Sequence, residues 1–299
     1  LMYAAALSSG FFLAACSCED GCDVGASAMA SPSQMVGIDP GISSADVFTT
    51  PDSAMTVALR SLKEKKISAF LQSVVPQAEL AKMRDGWKKA QSEPVSPDED
   101  KEFQAFMGMA TAEGSEEMLF LMVKPYLKDA QEQLQGVTMM LPMMAAGALE
   151  NADVPAETGA MIGQLSAKLA KLDITDEDKA REAIGVFVKA ARALDVETAS
   201  EIKALSFEDM LGRVDIAYAG LIDILGVYDL SPQKTLESMS VKMVSTEGDH
   251  ARMEMTFSLF GAEPQSMPFE MERIDGRWFP KPSQEAAEEP EMGTSRLAR

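Results

Sequence analysis

The apolar residues of this chain change their period once, and that change limits the fold more than any other feature. Up to Ser231-Pro232 they recur at helical spacing, and beyond it they alternate. Ala251, Met253, Met255, Phe257 and Leu259 alternate with Arg252, Glu254, Thr256 and Ser258, the strongest strand pattern present. Met239, Val241 and Met243 repeat it before, and Met267, Phe269 and Met271 after. The connections at 247–249, 261–265 and Asp275-Gly276 are short, and Trp278 marks a return strand. These features predict an antiparallel meander of three to four strands over 236–280 with one apolar face. Such a face must be covered, and the preceding helices are the available cover. The fold class is therefore α+β: a mostly α-helical body, 51–230, packed on a C-terminal meander in a single globular domain, 51–280. Pro268 predicts that its strand lies at an edge or starts there.

The helical part opens with Thr50-Pro51-Asp52-Ser53, a start signal with Pro in the first turn. Met55, Ala58, Leu59 and Leu62 give one apolar face; Ile67, Phe70, Leu71 and Val74 give the next. Leu80, Met83 and Trp87 predict a third, short helix, followed by a loop over 91–97. Ser96-Pro97-Asp98-Glu99 is a capping box ahead of Phe103, Phe106, Met107 and Ala110. A long helical region is predicted over 115–150, with Leu119, Met122, Val123, Tyr126 and Leu127 on its packed face. Pro125 and Pro142 should kink or break it. Ile162, Leu165, Leu169 and Leu172 mark the next helix. Thr175 is expected to cap the one carrying Ala180, Ile184, Phe187, Val188 and Ala191, and Ser206 a five-turn helix from Phe207 to Leu225.

The N-terminus is of another kind. Residues 1–15, LMYAAALSSGFFLAA, carry no charge and are too few to span a bilayer, which needs about 20 apolar residues. They fit the apolar region of a secretory signal, although no basic residue precedes them. The opening Leu1 suggests a truncated or misassigned start, or an alternative start codon. The run ends in Leu13-Ala14-Ala15-Cys16, which resembles the lipobox of bacterial lipoproteins. The resemblance implies cleavage before Cys16, diacylglycerol on its sulfur and acylation of its new amine. With Ser17 rather than Asp next, it implies the periplasmic face of the outer membrane. Two or three acyl chains hold a protein to a bilayer where one does not. Residues 16–50 then form a flexible tether rich in Ser, Ala, Gly and Pro, and 281–299 a disordered polar tail. Cys18 and Cys22 can close a small disulfide in the tether. A second resemblance covers roughly 50–280. Helices opening with Pro-Asp-Ser-Ala, a late meander and Asp-Gly-Arg-Trp look like uncharacterised Gram-negative lipoproteins, some with folds similar to the nuclear transport factor 2-like cone. The helical middle, about 97–205, is longer than that cone.

Composition narrows the function. With 27 Lys and Arg against 47 Asp and Glu, the net charge of −20 argues against nucleic acid and against electrostatic adhesion to anionic lipid. The single histidine, His250, falls at a hairpin tip beside Gly248-Asp249 and excludes multi-histidine metal sites. No phosphate-binding glycine loop or nucleophile elbow occurs. The acidic run Asp173–Asp178 lacks the glycine and distal glutamate of a calcium loop and is read as a helix start. Methionine is abundant, 22 residues, with clusters at Met107/Met109 and Met139, Met140, Met143 and Met144. It can fill a core, form a deformable groove or bind Cu(I); core filling is the expectation. No catalytic residue, metal site or cofactor is expected. The reading is a non-enzymatic lipoprotein held to the membrane by its lipid, which binds an envelope protein partner or supports the envelope. The alternative is a carrier of a small apolar ligand held between the sheet and Met-rich helices.

Overall fold

The computed structural model describes residues 48–151 and 156–281. The expected signal at 1–15, the lipidated Cys16, the Cys18–Cys22 pair, most of the tether and the tail beyond 281 lie outside them.

The structure is α+β, helical up to Ser238 with a four-stranded antiparallel sheet behind. The strands are β1 (Ser240–Glu247), β2 (His250–Ser258), β3 (Pro264–Ile274) and β4 (Arg277–Pro280), in the order β1-β2-β3-β4. The sheet thus starts at 240 rather than 236. Alternation puts Ala251, Met253 and Met271 on one face with Trp278, and they bury against Ala54, Met55 and Ala58 of α1 (Pro51–Lys63). Thr50 caps α1 by accepting from Ser53 N (3.3 Å). Two bonds lock the sheet to this helix. Trp278 Nε1 donates to Thr49 O (3.1 Å), and Met243 N to Asp52 Oδ1 (2.8 Å). The β3–β4 turn, Asp275-Gly276, has both residues at positive φ (50° and 79°), which the right-handed twist of a two-residue hairpin requires.

Helix α1, α2 (Ile67–Val74) and the short α11 (Pro232–Ser238) approach the sheet most closely. The other helices build cores of their own. In α3 (Gln77–Ser92), Trp87 packs with Phe207 and Leu211 of α10 (Phe207–Val227), its indole donating to Leu205 O (3.0 Å). In α4 (Pro97–Thr111), Met107 and Ala110 meet Ala191 of α8 (Glu177–Leu194) and Val196. The short α9 (Ala199–Ala204) follows α8. Helices α8 and α10 lie so close that a Cβ built on Gly220 would sit 2.7 Å from Ala190 Cβ.

Four expectations are corrected. The third helix is not short: it has 16 residues, so the loop begins at Glu93. Asp176, not Thr175, caps α8, accepting from Asp178 N (3.0 Å) and Lys179 N (3.1 Å). Thr175 sits one residue too early, and its N–H donates instead to Asp173 Oδ1 (2.9 Å). In the region 115–150 Pro125 breaks the helix as expected, dividing it into α5 (Ser115–Val123), a 3-10 turn (Lys124–Tyr126) and α6 (Leu127–Asn151). Pro142, by contrast, stays inside α6. It cannot donate to the Thr138 carbonyl four residues back, and Ser166 Oγ of α7 (Ala156–Leu169) does so instead (2.8 Å). Pro268 is neither at a strand start nor in an edge strand; it pairs with Glu254 inside β3. The four-residue β4 pairs only with Met271–Ile274, so at Pro268 one side of β3 lies open. There the missing donor costs the sheet nothing.

Candidate functional site

The surface that stands out is built by α5, the 3-10 turn and α6. Helix α5 is fixed on one side. Leu119 and Phe120 are buried, and the Arg181 guanidinium of α8 stacks on the Phe120 ring at 3.7 Å. Lys124 Nζ pairs with Glu177 (2.8 Å), while Arg192 pairs with Glu116 (3.0 Å) and donates to Ala112 O (2.8 Å). These exposed pairs orient the helix; the burial of Phe120 holds it.

That choice of face leaves the other side bare. Met118, Leu121, Met122 and Tyr126 are exposed, the last by 67 %. Spacing alone puts Met122 and Tyr126 on the packed face with Leu119. The spacing is correct, but Phe120 and Arg181 turn the helix about its axis.

Helix α6 shows the same feature more strongly. Leu127, Ala130, Gln131, Leu134, Thr138 and Leu141 form its half-buried to buried stripe against α7. Gln131 pins the base of this hairpin, donating to Leu172 O (2.9 Å) and accepting from Ile174 N (2.9 Å). Opposite the stripe the first turns are polar: Lys128, Asp129 and Glu132. Further along, Val137 (53 %), Met139 (78 %), Met140 (58 %) and Met143 (76 %) are exposed. No charged residue occurs from Gln133 to Leu149. An apolar helix is normally enclosed. Here α7 covers one side, and among residues 133–143 the side carrying Val137, Met139, Met140 and Met143 is bare. The expectation that methionine fills the core holds for Met55, Met107, Met253 and Met271 and fails for the exposed α5 and α6 methionines.

The remaining sequence candidates separate. His250 is exposed at the start of β2, paired with Glu247 across the turn. Asp173 and Asp176 serve the turn and cap before α8. Among the described residues, no three His, Cys, Asp or Glu side chains group as metal ligands, and no helix is long and apolar enough to cross a membrane. Lys179 Nζ and Asp229 form a bond of 2.7 Å that raises the lysine's pKa and holds the carboxyl below its usual range. An apolar hollow of about 200 Å³ lies among Tyr218, Pro232, Thr235, Leu236, Leu259 and Phe260. Phe260 there has φ 49°, a conformation few bulky residues adopt, and its N–H donates to Thr235 Oγ1 (2.8 Å). Sequence patterns do not point to the hollow or to the bare face of α5. For α6, the methionine cluster at 139–144, which can form a deformable groove, and the charge-free run from 133 to 149 signal the exposed face. No family model, no curated protein and no solved structure matches this chain.

Proposed function

We propose that this chain is a non-enzymatic lipoprotein, anchored through Cys16 to the periplasmic face of the outer membrane. It binds an envelope protein partner through the surface formed by α5, the 3-10 turn and α6. The observation that carries the reading is an apolar helical surface left bare by the chain's own packing. Clustered exposed apolar side chains mark interaction sites, and flexible methionine-rich surfaces adapt to a partner's shape. Here one group lies on α5 and the 3-10 turn and a second runs from Val137 to Met143, with the polar Lys128, Asp129 and Glu132 between them in sequence. The test places a photo-crosslinking residue at Leu121 or Val137 in cells, with Glu254 on the outer sheet face as control. A discrete adduct from the first two positions and none from Glu254 supports the reading; no adduct from either sinks it. Cys16→Ala should abolish lipid labelling and release the protein from membranes; retained labelling would sink the anchor.

A second reading, a carrier of a small apolar ligand, would use the hollow beside Phe260, which no methionine lines, rather than the expected space between the sheet and Met-rich helices. At about 200 Å³ the hollow is smaller than the roughly 300–1,000 Å³ that drug-sized ligands occupy. Native mass spectrometry of the purified chain would show a bound mass if this reading holds.

A further inference from the structure

We infer that Met139, Met140 and Met143 form a binding site for a soft monovalent metal ion of the Cu(I) class. This goes beyond the docking reading, which needs only that the surface be apolar. Three observations carry it.

The first is placement. Residues three and four apart on a helix are neighbours, so Met143 adjoins both Met139 and Met140 on one side of α6. The second is availability. All three side chains are more than half exposed, so their sulfurs are not committed to packing. Thioethers are soft ligands that select d¹⁰ Cu(I), which accepts a low coordination number, over hard divalent ions. With no carboxylate between Gln133 and Leu149, nothing on this stretch favours Zn²⁺ or Ca²⁺. The third is rigidity. Pro142 lies between the ligands and would ordinarily break the helix. Ser166 Oγ takes over the Thr138 carbonyl (2.8 Å), Thr138 Oγ1 donates back to Leu134 O (2.9 Å), and both side chains are buried. The helix therefore continues through the proline, and the three methionines keep their helical relation.

The α5 pair Met118 and Met122 provides an internal comparison: it has the same four-residue spacing but only two thioethers, and these are less exposed, 40 % and 50 %. The test uses the purified full chain in chloride-free nitrate buffer, its thiols capped with N-ethylmaleimide. The probe is Ag(I), a redox-inert d¹⁰ ion. With methionine methyls labelled by ¹³C, the Met139, Met140 and Met143 signals should move together, at lower Ag(I) than those of Met118 and Met122. Replacing the three by Leu keeps the apolar surface and should weaken Ag(I) binding by roughly tenfold or more. Equal binding by this variant, or Met118 and Met122 signals that move at lower Ag(I) than the other three, would overturn the inference. The single variant M143L, which removes the shared ligand, repeats the test should the triple variant misfold. The two proposals part cleanly. The Leu variant should keep its crosslinks at Leu121 and Val137, whereas their absence from the native chain, with Ag(I) still bound, would sink the docking reading alone.

Discussion

Single atoms decide whether two of these helices can exist as they stand. Thr138 is buried, and the residue that should satisfy its carbonyl is Pro142. Removing the Ser166 hydroxyl would leave that acceptor unmet, so Ser166→Ala should destabilise the chain by about 1–3 kcal/mol in urea unfolding. With Pro142→Ala present, residue 142 regains an N–H for Thr138, and the same change should cost much less. An equal cost in both backgrounds would show that Ser166 does not replace the proline's missing bond. A second such atom is the Cβ that Gly220 lacks. At 2.7 Å from Ala190 Cβ it would force α8 and α10 apart. Gly220→Ala should therefore lose about 1–3 kcal/mol. Gly212, on the same helix, has nothing within 4 Å. Gly212→Ala should gain about 0.5–1 kcal/mol from helix propensity. Thermal unfolding of the two variants must move in opposite directions.

At the scale of the element, caps and periods are legible in the sequence and faces are not. Thr50, Ser96 and Ser206 can be read as caps because a side-chain oxygen before a helical run has one local use. The strands are legible because alternation needs no knowledge of the partner. The stripe Leu119, Met122 and Tyr126 misleads because spacing names a face without saying what lies against it. Here Arg181, some sixty residues on, decides in favour of Phe120. Acid should act on the elements through their local carboxylates. Glu99 accepts from Ser96, and Asp229 from Lys179, and both are held below the usual carboxylate range. A lowered folded pKa contributes stability that is present above the unfolded value and lost as pH falls through the folded one. The melting temperature should therefore fall as pH drops below about 4, with a shallower fall in Glu99→Gln. The same slope in that variant would remove the capping box from the account. The α6–α7 hairpin meets the body chiefly at the 3-10 turn and at the loop after β2, so its amides should exchange with solvent faster than those of β2 and β3. Matching protection would mean the hairpin opens only with the whole fold.

Across the whole molecule, the adhesive surfaces are unevenly guarded. The edge strand β1 carries an irregularity between Met243 and Ser245, and Asp52 occupies the Met243 N–H. The open side of β3 is lined by Pro264 and Pro268. Both devices discourage strand addition. A net charge of −20 keeps copies of the chain apart. The apolar faces of α5 and α6 have no such guard, which is the physical ground for placing a partner there. Methionine oxidation reads this surface directly, because peroxide converts exposed thioethers to sulfoxides. Met118, Met122, Met139, Met140 and Met143 should oxidise readily in the purified chain, as should the exposed sheet residues Met243 and Met267. In intact cell envelopes the first five should be protected while Met243 and Met267 react as before. Equal oxidation of all seven in both settings would contradict the docking surface.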